Sequence, residues 1–400
     1  MAPVKFIFRI LLSARDLCCL NFLSATRKST KSIAILAKIG GQGDRLDWDK
    51  GGTPSLTAAE YMPFTFICSK QRRTSESDDD TPTDPLPPRV GRFVLSGVVL
   101  GSGATGRVYL GFDADTGQEV AIKQLKGERS REAPAEVAPH QIVSGHTNVA
   151  SLLGHYFFRG QHFIVLELCR GGDLFSVAMT AAEGVTMPED QLASLMRGMS
   201  DGLAHVHACG VVHRDMKLEN LLLDDSGSVK LCDFGLAHVF RRDSNGQPLK
   251  EAIKRRSGTK SYTAPEVLAI SGDGFYFAEA ADVWSLGVCL FALAFGFFPL
   301  DVAHPADWRF GAIREAQAAG QPTVPAIFAL YQQRLPPWSA ELLKLLDGML
   351  QIEVSKRWTM RQVTSSRWLQ QPPPPPLKTT KSGRQGTSLT SVIDMDLIGV

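Results

Sequence analysis

The sequence predicts an α+β protein in which a strand-rich region precedes a helix-rich region. From Phe93, short apolar runs punctuated by glycine follow one another, as in FVLSGVVL, GRVYLGF and HFIVLEL. From about Pro188, long helical periodicities replace them, as in QLASLMRGMSDGLAHVHACG. Because a chain that changes from one pattern to the other builds two units of different class, we expect two lobes.

The composition narrows the class of protein. The chain has 400 residues, of which 44% are hydrophobic, so it can bury a substantial core. A net charge of +2 gives no reason to expect a nucleic-acid partner. Seven scattered cysteines without a CxxC pair indicate free thiols in a reducing compartment, and we expect a cytoplasmic protein. The apolar runs look too short and too often broken by charge to cross a bilayer.

Composition also divides the chain into segments. Residues 1–69 form an N-terminal leader whose first part is basic and Ser-rich. A disordered leader, an organellar transit peptide and an artefact of the assumed translation start remain open for it. Residues 70–92 are charged and rich in Ser, Thr and Pro, so they predict a disordered linker. Residues 93–369 form the ordered domain, and residues 370–400 are a proline-rich tail predicted to be disordered.

A glycine-rich hairpin opens the ordered domain. VLGSGATGRVYLG places Gly101, Gly103 and Gly106 in a GxGxxG pattern. In dinucleotide folds such glycines open a helix, whereas RVYLGF after Gly106 predicts a strand. The pattern therefore favours a hairpin whose backbone folds over phosphate groups, and a plain glycine-rich hairpin is the alternative.

A lysine follows on a predicted strand. EVAIKQL places Lys123 among apolar neighbours, where its charge needs an anionic partner. Phosphate oxygens together with a carboxylate from a helix would supply that partner. The alternative is a solvated lysine on an edge strand.

Two polar loops carry the residue types that a phosphate-transfer site needs. In VVHRDMKLENLLL, Asp215 can accept a hydroxyl proton, Lys217 can neutralise a phosphoryl group and Asn220 can hold a metal ion. In VKLCDFGLA, Asp233 follows a strand and offers a carboxylate to Mg²⁺. A solvated turn between two strands is the alternative for the first loop.

The order of these motifs carries a resemblance to a known family. The glycine-rich loop, VAIK, HRD with its asparagine, DFG and APE follow one another, so residues 93–369 resemble a eukaryotic protein kinase. The resemblance implies a two-lobed kinase fold, with a β-rich N-lobe and an α-helical C-lobe. It also implies transfer of the γ-phosphate of ATP to protein Ser or Thr hydroxyls with Mg²⁺.

The resemblance assigns roles to individual residues. Asp215, Lys217, Lys123 and Asn220 would be catalytic, and Asn220 and Asp233 would hold Mg²⁺. The nucleotide would lie against Leu100, Gly101, Ser102, Gly103, Ala104, Thr105, Gly106, Arg107, Val108, Ala121, Lys123, Glu136, Leu166, Glu167, Cys169, Asp173, Leu222 and Asp233.

Other features of the family pattern concern subclass and structure. Lys217 and Thr259 are of the Ser/Thr-kinase type, and LELCRGGDLF with ADVWSLGVCLFALAFGFFPLD is similar to the calmodulin-dependent-kinase-like group. The resemblance also implies a structural ion pair between Glu266 and Arg357. It makes Asp282 the cap of the catalytic loop's backbone.

The chain departs from the family in the helix that should supply the lysine's partner. Glu136 is our choice for that partner, and Glu132 is the alternative. Pro139 inside a helix costs about 3 kcal/mol, and His140 takes the place of an apolar residue. We therefore expect a short, kinked or poorly docked helix and an activity that depends on an activating partner.

A second departure lies in the segment between DFG and APE, here called the activation segment. Arg255 stands where the family has a phosphorylatable threonine, whose phosphate pairs with the arginine of HRD, here Arg214. Two arginines would repel each other. Three interpretations remain open: activity without that phosphate, use of Ser257 in its place, or an acidic partner.

The expected partners are protein substrates, and the alternative function is a kinase-fold scaffold with weak or partner-dependent activity. Asp173 and Glu219 match positions that favour arginine upstream of the target Ser or Thr, although Asp173 also suits ribose contact or solvation. The proline-rich tail is compatible with an SH3-type binder, and a spacer is the preferred interpretation. We expect a monomer.

Overall fold

A computed structural model describes residues 86–370, apart from residues 104, 128–129 and 183–186. The predicted leader, the tail beyond residue 370 and most of the predicted linker lie outside the described residues. Within the described range, a six-stranded sheet comes first and the long helices follow it. The structure confirms the predicted α+β fold with two lobes.

The strand-rich lobe is an antiparallel sheet with the order β1-β2-β3-β4-β6-β5. Aromatic and β-branched residues favour these strands because they pack well on a pleated surface. Phe93, Ile122, Phe163 and Val165 form one fully buried cluster in this lobe. The strands are β1 Arg89–Val90, β2 Phe93–Ser102, β3 Gly106–Asp113, β4 Glu119–Leu125, β5 Leu152–Phe158 and β6 Gln161–Glu167.

The fold begins earlier than the predicted boundary at residue 93. Arg89 lies opposite Val94, and Val90 lies opposite Phe93 in an antiparallel pair. Val90 is only 2% exposed, and it packs in the same cluster as Phe93. The prediction of a disordered linker up to residue 92 is therefore wrong for this strand, because one apolar residue anchors an otherwise polar stretch.

A helical lobe follows the sheet. Its longest helix, α3, has Glu189 and Asp190 in its first turn and His205 and His207 in its last turn, which suits the helix dipole. Gly210 adopts φ 74° just beyond its end, a conformation that glycine allows. The helices are α1 Val137–Val143, α2 Leu174–Ala182, α3 Glu189–Ala208, α4 Pro265–Leu268, α5 Ala278–Phe295, α6 Trp308–Ala318, α7 Thr323–Leu330, α8 Ala340–Met349, α9 Met360–Thr364 and α10 Arg367–Gln370.

Helix α5 is the centre of the helical lobe. Its 18 residues are long and apolar enough to cross a membrane, contrary to the expectation that every apolar run is too short. However, 78% of this stretch is buried inside the protein, as for the core helix of a globular lobe. Length and composition alone are weak evidence for a membrane span, and the burial of α5 accounts for its apolar sequence.

Short strands fix the two ends of the HRD loop. β7 Val211–Val212 pairs with β10 His238–Val239, and β8 Leu221–Leu223 pairs with β9 Val229–Leu231. The HRD loop, residues 213–220, runs between β7 and β8. Both of its ends are therefore fixed by strand pairing, and its polar residues start from a defined position.

The expected ion pair between Glu266 and Arg357 is present deep in the helical lobe. Arg357 Nη1 and Nη2 donate to the Glu266 carboxylate at 2.6 and 2.9 Å. The Arg357 side chain is fully buried and lies over the Trp284 ring, 5.2 Å from its centroid. Removing one partner of such a pair leaves an uncompensated buried charge.

We predict that Arg357→Ala lowers the free energy of unfolding by about 3–5 kcal/mol, because the Glu266 carboxylate loses its partner. Lys356→Ala is the matched control, since the neighbouring Lys356 side chain is 60% exposed and pairs with Glu353 at the surface. That change should cost less than about 1 kcal/mol. Urea denaturation of both variants measures the difference, and equal losses would contradict the assignment.

Candidate active site

The glycine-rich sequence forms the expected hairpin between β2 and β3. Gly101 lies opposite Val108 and Ser102 opposite Arg107, and the Gly103 N–H donates to the Gly106 carbonyl at 2.9 Å. Ala104 lies outside the described residues. Other predicted nucleotide contacts at this hairpin, Leu100 and Thr105, are exposed.

Packing requires a glycine at Gly106, whereas Gly101 and Gly103 lie in open space. A Cβ at Gly106 would lie 2.0 Å from the Gln124 carbonyl oxygen, so packing against β4 excludes any side chain there. A Cβ at Gly101 or Gly103 would meet nothing within 4 Å. The open space at these two positions is what a hairpin backbone needs to approach a ligand.

Lys123 lies at the centre of a buried charge cluster. Its Nζ donates to both Glu136 carboxylate oxygens at 2.8 Å and to Asp233 Oδ1 at 3.1 Å. Glu136 is 5% exposed, whereas the alternative partner Glu132 is exposed. The structure therefore brings Glu136, and not Glu132, to the lysine.

Burial and charge oppose each other in this cluster. Burial lowers the pKa of Lys123, but the neighbouring carboxylates of Glu136 and Asp233 raise it above its usual value. Burial likewise raises the pKa of Asp233, but the charge of Lys123 and its hydrogen bond bring it below the usual value. Lys123 and Asp233 are therefore held in their charged forms near neutral pH.

The helix with Glu136 is short, as expected, but it is docked. Glu136 is the N-cap of α1, and Pro139 falls in the first turn, where a backbone N–H has no partner within the helix. The expected cost of about 3 kcal/mol for Pro139 therefore does not arise at this position. The helix carries the ion pair to Lys123 without a straightening partner.

His140 fills the place of an apolar residue by packing its ring against aromatic neighbours. The centroid of its ring lies 4.8 Å from that of Phe234. The His213 ring lies 5.0 Å from the same Phe234 ring, so the three rings form a row. His140 is fully buried, and its Nε2 is 2.7 Å from the Ala150 carbonyl, to which an N–H donates. Burial lowers the pKa of His140 to about 4, against the effect of that hydrogen bond and together with the charge of Lys123.

In the HRD loop, the Asp215 carboxyl group accepts hydrogen bonds from Thr259 and Lys217. The Thr259 N–H and Oγ1 both donate to Asp215 Oδ1 at 2.9 Å. Lys217 Nζ donates to Asp215 Oδ2 at 2.7 Å and to Thr259 Oγ1 at 3.3 Å. Burial lowers the pKa of Lys217, but the hydrogen bond and charge of Asp215 raise it above its usual value. The Asp215 side chain is thereby held in place between Thr259 and the cationic Lys217.

Asn220 joins this loop from its C-terminal end. Its Nδ2 donates to the Asp215 carbonyl at 2.9 Å. Among the described residues, no cluster of three or more His, Cys, Asp or Glu side chains could hold a metal ion. Asn220 and Asp233 are nevertheless the kind of oxygen donors on which Mg²⁺ relies when substrate phosphates and water complete its shell. The donor set fits such an ion and does not suit a closed protein metal site.

Asp282 holds the backbone of the loop, as the resemblance implies. Its carboxylate is 1% exposed and accepts from the backbone N–H groups of His213 and Arg214 at 2.9 and 2.8 Å. His207 Nε2 is 2.9 Å from the same carboxylate. Arg214 adopts a left-handed φ of 66°, which a non-glycine residue sustains only when its surroundings hold it there.

The expectation that Arg214 and Arg255 repel each other is wrong. The Arg214 guanidinium donates to the backbone carbonyl of Arg255 at 2.8 Å, and the Arg255 side chain is exposed. The Arg214 guanidinium also donates to the Leu236 carbonyl at 3.2 Å and to the Tyr276 hydroxyl at 3.0 Å. The contact is made by the Arg255 backbone, and its charged side chain takes no part in it.

The residues assigned to the nucleotide base lie around the junction between the lobes. In the sheet, Ala121 pairs with Leu166, and Leu222 forms an isolated bridge to Asp173 in the helical lobe. Val108, Ala121, Leu166 and Leu222 are all half-buried, which leaves apolar surface accessible to a ligand.

Two other residues of this region have structural contacts of their own. The Glu167 carboxylate accepts from the Ser151 N–H at 3.1 Å and pairs with Lys230 at 3.0 Å, so this side chain is already engaged within the protein. Burial raises the pKa of the Cys169 thiol to about 12, which keeps this thiol neutral.

The two acids assigned to substrate recognition differ in their surroundings. Asp173 Oδ1 accepts from the Ser176 N–H at 2.7 Å, three residues on, and so caps the start of α2. Glu219 is exposed, and the Tyr262 hydroxyl donates to it at 3.1 Å. Glu219 is therefore the better placed of the two to meet a peptide.

Sequence reasoning missed some contacts of the site. Tyr276 had no role assigned, because a tyrosine in the run GFYFAEA carries no motif. Thr259 served only as a subclass marker, although it donates twice to Asp215. His207 could have been found from its place in the last turn of a helix that leads directly into the HRD loop.

The comparisons with known proteins agree with this geometry. The family described as "Protein kinase domain" matches residues 95–369. CBL-interacting protein kinase 22 of Oryza sativa subsp. japonica is 34% identical over 307 residues, covering 70% of this chain and 62% of the relative.

Further relatives have similar coverage. CBL-interacting serine/threonine-protein kinase 12 of Arabidopsis thaliana is 32% identical, covering 70% of this chain and 53% of the relative. Hormonally up-regulated neu tumor-associated kinase of Homo sapiens is 29% identical, covering 70% of this chain and 37% of the relative. The matched part thus spans between 37% and 62% of these relatives' lengths.

We predict that His140 makes the protein less stable in mild acid. The unfolded chain takes up a proton near the usual pKa of 6.5, whereas the folded protein does so only near pH 4. Stability is thus fully present above pH 6.5 and falls as the pH drops through this window. Between pH 7 and pH 5, His140 should cost about 2 kcal/mol of unfolding free energy.

Chemical denaturation at both pH values measures this term. His140→Leu should reduce the pH-dependent loss by about 2 kcal/mol, whereas His304→Ala, at an exposed position, should leave it nearly unchanged. An unaltered pH dependence in His140→Leu would show that His140 does not carry the effect.

Proposed function

The chain belongs to the protein kinase domain family, and we propose that it transfers the γ-phosphate of ATP to Ser or Thr hydroxyls of proteins. The arrangement around Asp215 carries the proposal. A carboxylate fixed by Thr259 and Lys217, at the end of a strand-anchored loop, can orient a hydroxyl and accept its proton.

The remaining site residues support the transfer by position and charge. Lys217 lies beside Asp215 and can neutralise charge on the transferred group. Lys123, held by Glu136, presents a second fixed cation to phosphate oxygens beneath the glycine-rich hairpin. Catalysis of this kind needs positioned charges and little covalent chemistry from the protein.

The proposal includes Mg²⁺ held by Asn220 and Asp233. When bound, the ion neutralises negative charge on the phosphate oxygens. Asp233 offers a carboxylate next to Lys123, and Asn220 lies in the same loop as Asp215. Two protein ligands suffice because Mg²⁺ usually keeps water and substrate oxygens in its shell.

The proposal extends to the rest of the chain on weaker support. Residues 93–369 with the preceding strand β1 are proposed as the catalytic domain, on the support of the family match. Free thiols and the charge balance support a cytoplasmic location. A regulatory protein partner is supported by the names of two relatives, which are called CBL-interacting kinases.

The geometry of helix α1 speaks against the scaffold alternative. Its basis was a helix disrupted at Pro139 and His140. That helix places Glu136 2.8 Å from Lys123, so the feature that favoured a scaffold is not observed.

We predict that Asp215→Asn lowers phosphorylation of a Ser/Thr peptide by about 100-fold or more, because the loop loses its proton acceptor. Phosphate transfer from radiolabelled ATP with Mg²⁺ measures the rate, both onto the peptide and onto the protein itself. Asp225→Asn is the control, since Asp225 is 63% exposed on the turn between β8 and β9. Equal rates for the wild type and Asp215→Asn would overturn the enzyme proposal.

We predict a preference for arginine upstream of the target residue. The exposed Glu219 carboxylate offers an anionic contact, and an exposed ion pair of this kind is worth up to about 1 kcal/mol. Glu219→Ala should therefore weaken arginine enrichment on a peptide array by about twofold to fivefold. Glu315→Ala, exposed on α6, should leave the profile intact. A wild-type profile without upstream arginine would contradict the preference.

A further inference from the structure

The activation segment is tied to the HRD loop through a single arginine. The Arg214 guanidinium donates to the carbonyl of Leu236, early in the segment, and to the carbonyl of Arg255, late in it. Its Nε donates to the Tyr276 hydroxyl at 3.0 Å. One side chain on the HRD loop thus holds the segment at two points and is itself held by a third group.

Tyr276 joins the same segment by its backbone and by its hydroxyl. Its N–H and carbonyl pair with those of Ile253 at 3.0 and 2.9 Å. Its hydroxyl lies 3.5 Å from the Arg255 carbonyl. Tyr276 is 3% exposed, so its ring is packed in place and its hydroxyl is fixed beside Arg214. The hydroxyl therefore connects the arginine to the part of the segment around residue 255.

All acceptors of the Arg214 guanidinium are uncharged. Within the described part of the chain, no carboxylate forms an ion pair with its guanidinium. Instead, three neutral oxygens each accept a hydrogen bond from the charged guanidinium. A phosphate on the segment is thus not needed to give this arginine partners.

The structure also disfavours Ser257 as a substitute phosphorylation site. Its hydroxyl is buried without a hydrogen-bond partner, and it lines a cavity of about 10 Å³ together with Arg214, Asp215 and Tyr276. Such a cavity holds about one water molecule. A phosphate on Ser257 does not fit there, so the segment would have to leave its place to accept one.

We propose that Tyr276 is a positioning residue for phosphate transfer, and that with Arg214 and the carbonyls of Leu236 and Arg255 it holds the activation segment in place without phosphorylation. This group of four is called the neutral latch below. The proposal rests on the kinase activity proposed above and concerns its regulation. Through the latch, Arg255 stays beside Arg214, and Thr259, which lies close by in the same segment, stays hydrogen-bonded to Asp215.

The first test is the need for phosphate. The full chain is treated with a Ser/Thr phosphatase, its unphosphorylated state is confirmed by intact mass, and the phosphatase is removed. Initial rates on an arginine-containing serine peptide should stay within about twofold of the untreated protein, without a lag, because a latch of neutral acceptors does not change on dephosphorylation. Loss of most of the activity, or a lag that ends as phosphate returns, would overturn the proposal.

The second test removes one hydroxyl. Tyr276→Phe keeps the buried ring and takes away the acceptor of Arg214 Nε. We expect kcat to fall by about tenfold, the loss typical of one hydrogen bond to a charged group, while KM for ATP is unchanged. Tyr331→Phe is the matched control, because Tyr331 accepts from Arg309 at the same 3.0 Å but lies among α6 and α7, away from the site.

Limited trypsin digestion separates positioning from general stability. Lys254, Arg255 and Arg256 are exposed cleavage sites within the segment. Tyr276→Phe should accelerate cleavage there several-fold over cleavage elsewhere in the chain, whereas Tyr331→Phe should not. If the two variants match in kcat and in cleavage, the latch is wrong. If the wild type matches Asp215→Asn in phosphate transfer, the proposed kinase function fails first, and the digestion result still judges the latch.

Discussion

The buried carboxylate of Asp282 is the constraint on which the site depends. A buried charge is tolerated only when hydrogen bonds replace its water, and Asp282 obtains them from two successive backbone N–H groups of the HRD loop and from His207. These bonds hold Arg214 in a left-handed conformation that its own backbone disfavours. The backbone conformation of Arg214 sets the position of the next residue, Asp215. One acid from α5 thereby positions both the proposed catalytic carboxylate, Asp215, and the arginine that contacts the activation segment.

The second organising element is a row of rings that passes beside the charged cluster. His140, Phe234 and His213 follow one another at ring separations of 4.8 and 5.0 Å, and they connect α1 with the HRD loop. The row lies next to Lys123, so a charged imidazole at its end would repel the lysine that we propose binds phosphate. Burial keeps His140 neutral, and a neutral imidazole packs as an aromatic ring while bonding to the Ala150 carbonyl. The departure from an apolar residue is therefore compatible with a docked helix.

The sequence predicts those features that depend on side-chain type and spacing, and it fails where backbone groups decide. The strand and helix patterns, the GxGxxG hairpin and the Glu266–Arg357 pair follow from residue identity. The boundary at residue 93 was wrong because one valine, Val90, suffices to add a strand to an existing edge. The cost assigned to Pro139 was wrong because it depends on which turn of the helix the proline occupies, and that turn cannot be read from composition.

Arg255 in the activation segment shows the same limit of sequence-based prediction. As a side chain it is a cation opposite another cation, and the sequence therefore predicts repulsion. As a backbone unit it has a carbonyl like any other residue, and that carbonyl accepts from Arg214 at 2.8 Å. A phosphate can be added and removed, whereas a carbonyl and a tyrosine hydroxyl are permanent. A segment held by permanent acceptors has no covalent switch at this arginine, so we expect control of the proposed activity to act elsewhere, through access of substrates to the site.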